Sequence, residues 1–125
     1  MSIQTYQDLT VWQKSMEIAE LVYKITKKLP KDEMYSMTNQ IRRAAVSIPS
    51  NIAEGQARHS TKEFIHFLRI AQGSKAELET QLMLCLKIGY LTDTDTEGIM
   101  NLLQEIGKML TVLIAKLGGR EVVSG

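Results

Sequence analysis

A chain of 125 residues with a hydrophobic fraction of 44% is sized for one domain and can build a core without disulfide or metal staples, which excludes a disordered tract. Aromatics at 6% and a formal net charge of +1 disfavour a strand-rich fold and leave no global field that announces a polyanion partner. The single cysteine, Cys85, excludes an intrachain disulfide; residues 1–10 hold no apolar signal core and no apolar run approaches membrane-spanning length, so the expectation is a cytoplasmic protein with no membrane partner.

Charge is unevenly spread. Residues 1–90 hold twelve Lys and Arg against nine Asp and Glu, and residues 91–125 hold three against five. Three short punctuation marks, at residues 29–32, 55–60 and 89–93, divide four periodic segments. Links this short make successive helices antiparallel neighbours. The predicted fold class is all-α: one domain over residues 1–125, an antiparallel up-down-up-down, left-handed four-helix bundle with helices near 10–28, 33–57, 60–88 and 94–117. Residues 118–125 read as a frayed tail.

The first helix carries a heptad-like stripe of Val11, Ile18, Val22, Ile25 and Leu29, with Trp12, Met16, Ala19 and Tyr23 beside it. Its apolar arc is therefore wide. In the second, Met34, Met37, Ile41, Ala44, Ile48 and Ile52 recur at three- and four-residue steps. Pro49 interrupts that pattern, removes a donor and clashes with the carbonyl of Ala45, so a kink or restart is expected there. Gly55 is the end signal, with room for a turn beyond it.

The third helix opens on the capping box Ser60-x-x-Glu63 and buries Phe64, Phe67, Leu68, Ala71, Leu78, Leu82 and Cys85. Gly73 and Ser74 let a neighbouring helix approach, and Gly89 ends the segment. The fourth opens on a second box, Thr94-x-x-Glu97, and continues as a heptad seam of Ile99, Leu103, Ile106, Leu110, Leu113 and Leu117. Apolar surface exceeds the needs of one bundle. Residues 82–86 are apolar all round one turn, and Leu102, Met109, Val112 and Ile114 lie outside the seam. Leu82, Met83, Leu84, Leu86, Leu102 and Met109 are thus expected contacts in a homo-oligomer.

The stretch Gln40-Ile-Arg-Arg-Ala-Ala-Val-Ser-Ile-Pro-Ser-Asn-Ile-Ala-Glu-Gly55 closely resembles the hallmark of the four helix bundle protein family, also called the 23S rRNA-intervening sequence protein family. Further similarity lies at Leu9-Thr-Val-Trp12, at Leu29-Pro30 with Glu33, at Phe64 and Phe67-Leu68, at Gly73-Ser74 with Glu77-Leu78-Glu79, and at Gly89-Tyr90. The resemblance implies the bundle fold and a homopentamer around a central channel. First-named members are encoded in inserts within ribosomal RNA genes. A similar bundle protein is an accessory factor in diversity-generating retroelements, so the resemblance also implies RNA or DNA, and a reverse-transcriptase-like protein, as partners.

Three constellations could carry function. Gln40, Arg43, Ser47, Asn51 and Glu54 follow at helical steps beside the apolar stripe of the second helix. They suit the polar lining of an inter-subunit channel, a buried network in which Glu77 or Glu79 pairs Arg42 or Arg43, or a partly exposed surface. His59, Glu63 and His66 copy part of a di-iron bundle spacing. The chain has only two histidines, and Lys62 and Arg69 repel a cation, so no metal or other cofactor is expected. Arg58, His59, Lys62, His66 and Arg69 align on one face of the third helix and suit phosphate contacts, or form a solvated face offset by Glu63. Cys85 sits in an apolar run and reads as a small buried hydrophobe. With no nucleophile elbow, phosphate loop or paired cysteines, the chain is not expected to be an enzyme.

Overall fold

The computed structural model describes residues 5–118 and winds them into α1 (Thr10–Ile25), α2 (Met37–Ala57), α3 (Thr61–Ile88) and α4 (Asp93–Gly118), with no strand among the described residues. The tail expected at 118–125 lies, beyond Gly118, outside the described residues. Helices adjacent in sequence pack together, α4 closes on α1, and the diagonal pairs stay apart. Side-chain contacts make α2 and α3 antiparallel: Gly55 near the end of α2 meets Phe64 and Phe67 near the start of α3. The α1–α4 contact runs the same way, since Lys28 pairs with Asp95 and Lys14 with Glu105.

The centre is aliphatic. Ile18, Val22, Ile41, Ile48, Ile52, Leu68, Leu78, Leu82, Leu103, Ile106 and Leu110 are fully buried. These are the residues that helical periodicity places inward. Two expected inward stripes are corrected. Met16 and Tyr23 of α1 are about half exposed (45% and 44%). On α4 the buried row is Thr96, Ile99, Leu103, Ile106, Leu110 and Ile114, so the seam passes to Ile114, while Leu113 and Leu117 are half-buried. A helix of 3.6 residues per turn drifts about 20° per heptad off a strict seven-residue repeat, so along α4 the inward direction turns from the Leu113 side toward Ile114. By length and hydropathy (1.3 over an 18-residue window) α4 could also cross a membrane, contrary to the expectation of no such run. Here its buried row closes the bundle core.

Helix ends differ from expectation for local reasons. Residues Thr26–Lys28 tighten into a 3-10 turn after α1, where the Thr26 hydroxyl donates to the Val22 carbonyl at 2.7 Å. The second helix starts at Met37 rather than 33. Lys31–Glu33 forms a separate 3-10 turn, and the Glu33 carboxylate accepts from the Ser36 hydroxyl (2.5 Å) and the Met37 N–H (3.4 Å), satisfying donors at the helix start. Instead of restarting, α2 runs unbroken through the buried Pro49 and past Gly55 to Ala57. At the start of α3 the Ser60 hydroxyl accepts from the Glu63 N–H at 3.3 Å; the Glu63 carboxylate turns to Arg58. Gly89, at φ +86°, ends α3, with Tyr90 N–H on the Cys85 carbonyl (2.9 Å) and Gly89 N–H on that of Leu86 (3.3 Å), a Schellman stop that favours glycine. The cap of α4 is Thr92 with Asp95, not Thr94 with Glu97: Thr92 N–H donates to Asp95 at 2.9 Å and Asp95 N–H to the Thr92 hydroxyl at 3.3 Å.

Tyr90 then ties the end of α3 to the start of α2, its hydroxyl donating to Glu33 Oε2 at 2.6 Å. The Ser36 and Tyr90 hydroxyls hold the Glu33 carboxyl below its ordinary pKa, and Glu33 pushes the Tyr90 phenol above its own. The lowered carboxyl contributes stability above its unfolded pKa and loses it as pH falls through the folded value; the raised phenol contributes below its unfolded pKa and loses it as pH rises through the folded one. Tyr90→Phe is therefore expected to lower the melting temperature at neutral pH and to matter less at a pH low enough to protonate the Glu33 carboxyl. An equal deficit at both pH values would show that the bond to the carboxylate is not what the phenol supplies.

Candidate nucleic-acid interface

The basic stripe comes together only in part. Arg58 closes α2 and is engaged three ways: Nη2 donates to Glu54 at 2.7 Å, Nη1 to Glu63 at 3.4 Å, and the guanidinium lies 5.1 Å from the centroid of the Phe67 ring. Glu54 raises its pKa further above the ordinary value. Arg58 stays exposed but is paired with two carboxylates at the α2–α3 turn, so its charge is offset there. His59 is exposed at φ 55°, the left-handed position after a helix where a histidine is tolerated better than most residues. Lys62, His66 and Arg69 are all exposed on α3 and, spaced by four and three, share one face. Among the described residues neither Lys62 nor Arg69 has an acidic partner within ion-pair distance, and His66 meets Phe67 edge-on at 5.3 Å. The charged patch that remains is Lys62–His66–Arg69, with His59 at its edge.

Among the described residues no three of His, Cys, Asp and Glu converge as metal ligands, His59, Glu63 and His66 included; Glu63 accepts from Arg58 instead. Burial pushes the Cys85 thiol above its ordinary pKa, which keeps it protonated and inert.

The polar line on α2 splits as well. Ser47 and Asn51 are half-buried and bind the seam: the Ser47 and Ser74 hydroxyls are 2.8 Å apart, and the Asn51 amide donates to Ser47 Oγ at 2.9 Å and to the Ser47 carbonyl at 2.8 Å. Gln40, Arg43 and Glu54 are exposed. The pairing of Glu77 or Glu79 with Arg42 or Arg43, one of the three readings of this line, is absent among the described residues. Glu79 takes Lys75 at 3.1 Å, while Arg42 donates to the Thr26 hydroxyl at 2.9 Å and stacks 4.6 Å from the Tyr23 centroid. Arg42 thereby bridges α2 to the end of α1.

The apolar contact set needs one correction. Leu82 has no exposed surface; it points to the bundle centre and cannot touch another copy. Met83 and Leu84 are exposed (46% and 43%), as are Ile88 and Val112, while Leu86, Leu102 and Met109 are half-buried against the core. Gly73, expected to admit a neighbouring helix, has open space where a Cβ would stand; it is Gly55 that gives α2 and α3 their close approach.

An arrangement not anticipated from the sequence lies where the start of α2 faces the middle of α3. Tyr35, Asn39, Gln40, Arg43, Ala44, Ser47 and Glu77 line an open groove of about 500 Å³, and Tyr35 is 94% exposed. The available sequence signal was an aromatic in a polar turn, out of step with the apolar period of α2.

A family model described as 23S rRNA-intervening sequence protein matches residues 7–112. The chain is similar to a crystal structure of a protein with unknown function from the S23 ribosomal protein family of Bacteroides thetaiotaomicron, with 34% identity and a TM-score of 0.77 over 84% of this chain and 98% of that one. Among curated proteins none matches.

Proposed function

The chain belongs to the 23S rRNA-intervening sequence protein family, and from that premise we propose that it is a non-catalytic, oligomeric scaffold that binds nucleic acid through phosphate contacts. The observation that supports this most is the exposed Lys62–His66–Arg69 face, whose lysine and arginine have no acidic partner among the described residues. Each such cation can displace a condensed counterion from a nucleic-acid backbone. The family takes its name from ribosomal RNA, which makes structured RNA the first partner to test. Exposed Met83, Leu84 and Ile88 are the surface that copies would cover, and the family resemblance implies five. A ring repeats a weak patch, so single contacts add by avidity, and local clustering outweighs a net charge of +1. The site of action would be the cytoplasm.

Titration of the protein with single-stranded, duplex and hairpin RNA and DNA at low and high salt tests this. Binding should weaken steeply with salt. Changing Lys62 and Arg69 both to Glu should abolish it, or lower the salt slope by about 0.7 for each single-strand phosphate that is no longer neutralised. No binding at low salt would discard the proposal. The second reading, a protein-interaction module with no nucleic-acid partner, draws on the same exposed Met83, Leu84 and Ile88; a reverse-transcriptase-like protein is the partner the resemblance implies.

A further inference from the structure

The face that carries the cations does not stop at Arg69. Residues 62, 66, 69, 73 and 77 of α3 step by four, three, four and four, so they share one outward side of the helix. All five are exposed. Gly73 leaves that side bare halfway along, with nothing within 4 Å of where its Cβ would stand. At eight residues and 1.5 Å per residue, Glu77 lies about 12 Å along the helix from Arg69. Glu77 is also the α3 wall of the groove whose other side is Tyr35, Asn39, Gln40 and Arg43.

The groove contains what the cationic patch lacks. The Tyr35 ring is an aromatic platform left almost wholly in water, with no ring or cation stacked on it among the described residues. Asn39 and Gln40 supply two amides, each able to donate and accept. Arg43 has no carboxylate within ion-pair distance among the described residues, and Glu77 adds an acceptor. Unpaired bases are recognised by this set: a flat face to stack on, amides along the base edge and a cation on the phosphate. A duplex cannot use it, because its bases are already stacked and paired.

We propose that the Tyr35–Arg43–Glu77 groove takes an unpaired nucleotide from a strand held at Lys62 and Arg69, with its base on the Tyr35 ring, its edge at Asn39 and Gln40 and its phosphate on Arg43. This rests on the phosphate-binding role given above to the Lys62–Arg69 face. It adds a preference for single-stranded over fully paired nucleic acid. Glu77 offers only an acceptor, so it favours the donors of that nucleotide, a base amino group or a ribose 2′-hydroxyl. Gly73 gives the strand an unobstructed path between the two sites.

The test compares the full chain with Tyr35→Ala, Tyr35→Phe and the double variant Lys62→Glu with Arg69→Glu. Fluorescence anisotropy is read with short labelled RNA and DNA single strands and with a blunt duplex, at two salt concentrations. Tyr35 is on the surface, so its variants should fold. Tyr35→Ala is expected to weaken single-strand binding about tenfold, within the range for loss of one stacked base. Duplex affinity and the salt slope should not change, since no charge is removed, and Tyr35→Phe should restore binding. Equal affinity of Tyr35→Ala and the parent for single strands would overturn the groove, and so would an equal loss on duplex. A change in particle mass by light scattering on Tyr35→Ala would also overturn it, by assigning the ring to a contact between copies. If only the charge-reversed variant loses binding, the groove falls and the cationic face stands. If only Tyr35→Ala does, the face falls and the groove stands without it. A parent protein that binds no strand at low salt removes both.

Discussion

Leu82→Ala is expected to destabilise the fold by about 2–5 kcal/mol, the cost of removing a fully buried leucine and leaving a cavity. Leu82 has no exposed surface, whereas Met83 and Leu84 beside it are nearly half exposed. The three adjacent residues therefore separate two effects. Denaturant unfolding of Leu82→Ala, at fixed protein concentration because assembly would add its own linkage, should show a lowered midpoint with an unchanged slope. Leu84→Gln should leave the fold nearly intact, since surface substitutions usually stay within about 0.5 kcal/mol, and should lower particle mass in light scattering if that face joins copies. A neutral Leu82→Ala would mean that the residue does not sit in the core.

Gly55→Ala is expected to cost up to about 2 kcal/mol net, in a helix where glycine is ordinarily a liability. The added Cβ would stand 2.7 Å from Phe67 Cβ, 3.1 Å from Phe64 Cδ1 and 3.3 Å from the Phe64 carbonyl oxygen. The root of a side chain and a backbone oxygen cannot swing aside, so α2 and α3 must separate; overpacking of that kind costs about 1–3 kcal/mol. Better helix propensity returns roughly 1 kcal/mol. Gly73→Ala is the matched control. Its Cβ meets nothing within 4 Å, so only the propensity gain remains, and the protein should become more stable by roughly 0.5–1 kcal/mol. Thermal or denaturant melts of the two variants should therefore move in opposite directions. A stabilised Gly55→Ala would show that the helices have room to spare. A Gly73→Ala that raises stability yet changes particle mass would place Gly73 against another copy.

The separation Gly55 enforces also bears on the cationic face. Phe67, which packs on Gly55, has Arg58 over its ring and His66 at its edge. A displaced Phe67 would carry those neighbours with it, so Gly55→Ala should be measured for stability before any binding result from it is read.

Periodicity alone places the four helices, nearly all of the aliphatic core and the glycine stop of α3. Each is a property of residues close in sequence: three- and four-residue spacing selects a face, and Gly89 supplies the left-handed turn. The pattern of charges likewise shows that Lys62, His66 and Arg69 share a side. It could not show which cations are free. Whether Arg58 meets water or carboxylates depends on how the turn after α2 folds back over Glu54, Glu63 and Phe67, a matter of three-dimensional proximity. The caps show the same limit, because Thr92 with Asp95 and Thr94 with Glu97 offer equivalent chemistry two residues apart, and packing of α4 on the core chooses between them. Leu82 and Leu84 are indistinguishable by hydropathy; about 200° of helical rotation puts one in the core and the other in water. Gly55 and Gly73 are alike in sequence, and only the position of α3 against α2 makes the first a necessity and the second an open space. The groove at Tyr35 is legible from neither helix separately, since its two walls lie about forty residues apart and meet only because α2 and α3 run antiparallel at the distance Gly55 allows.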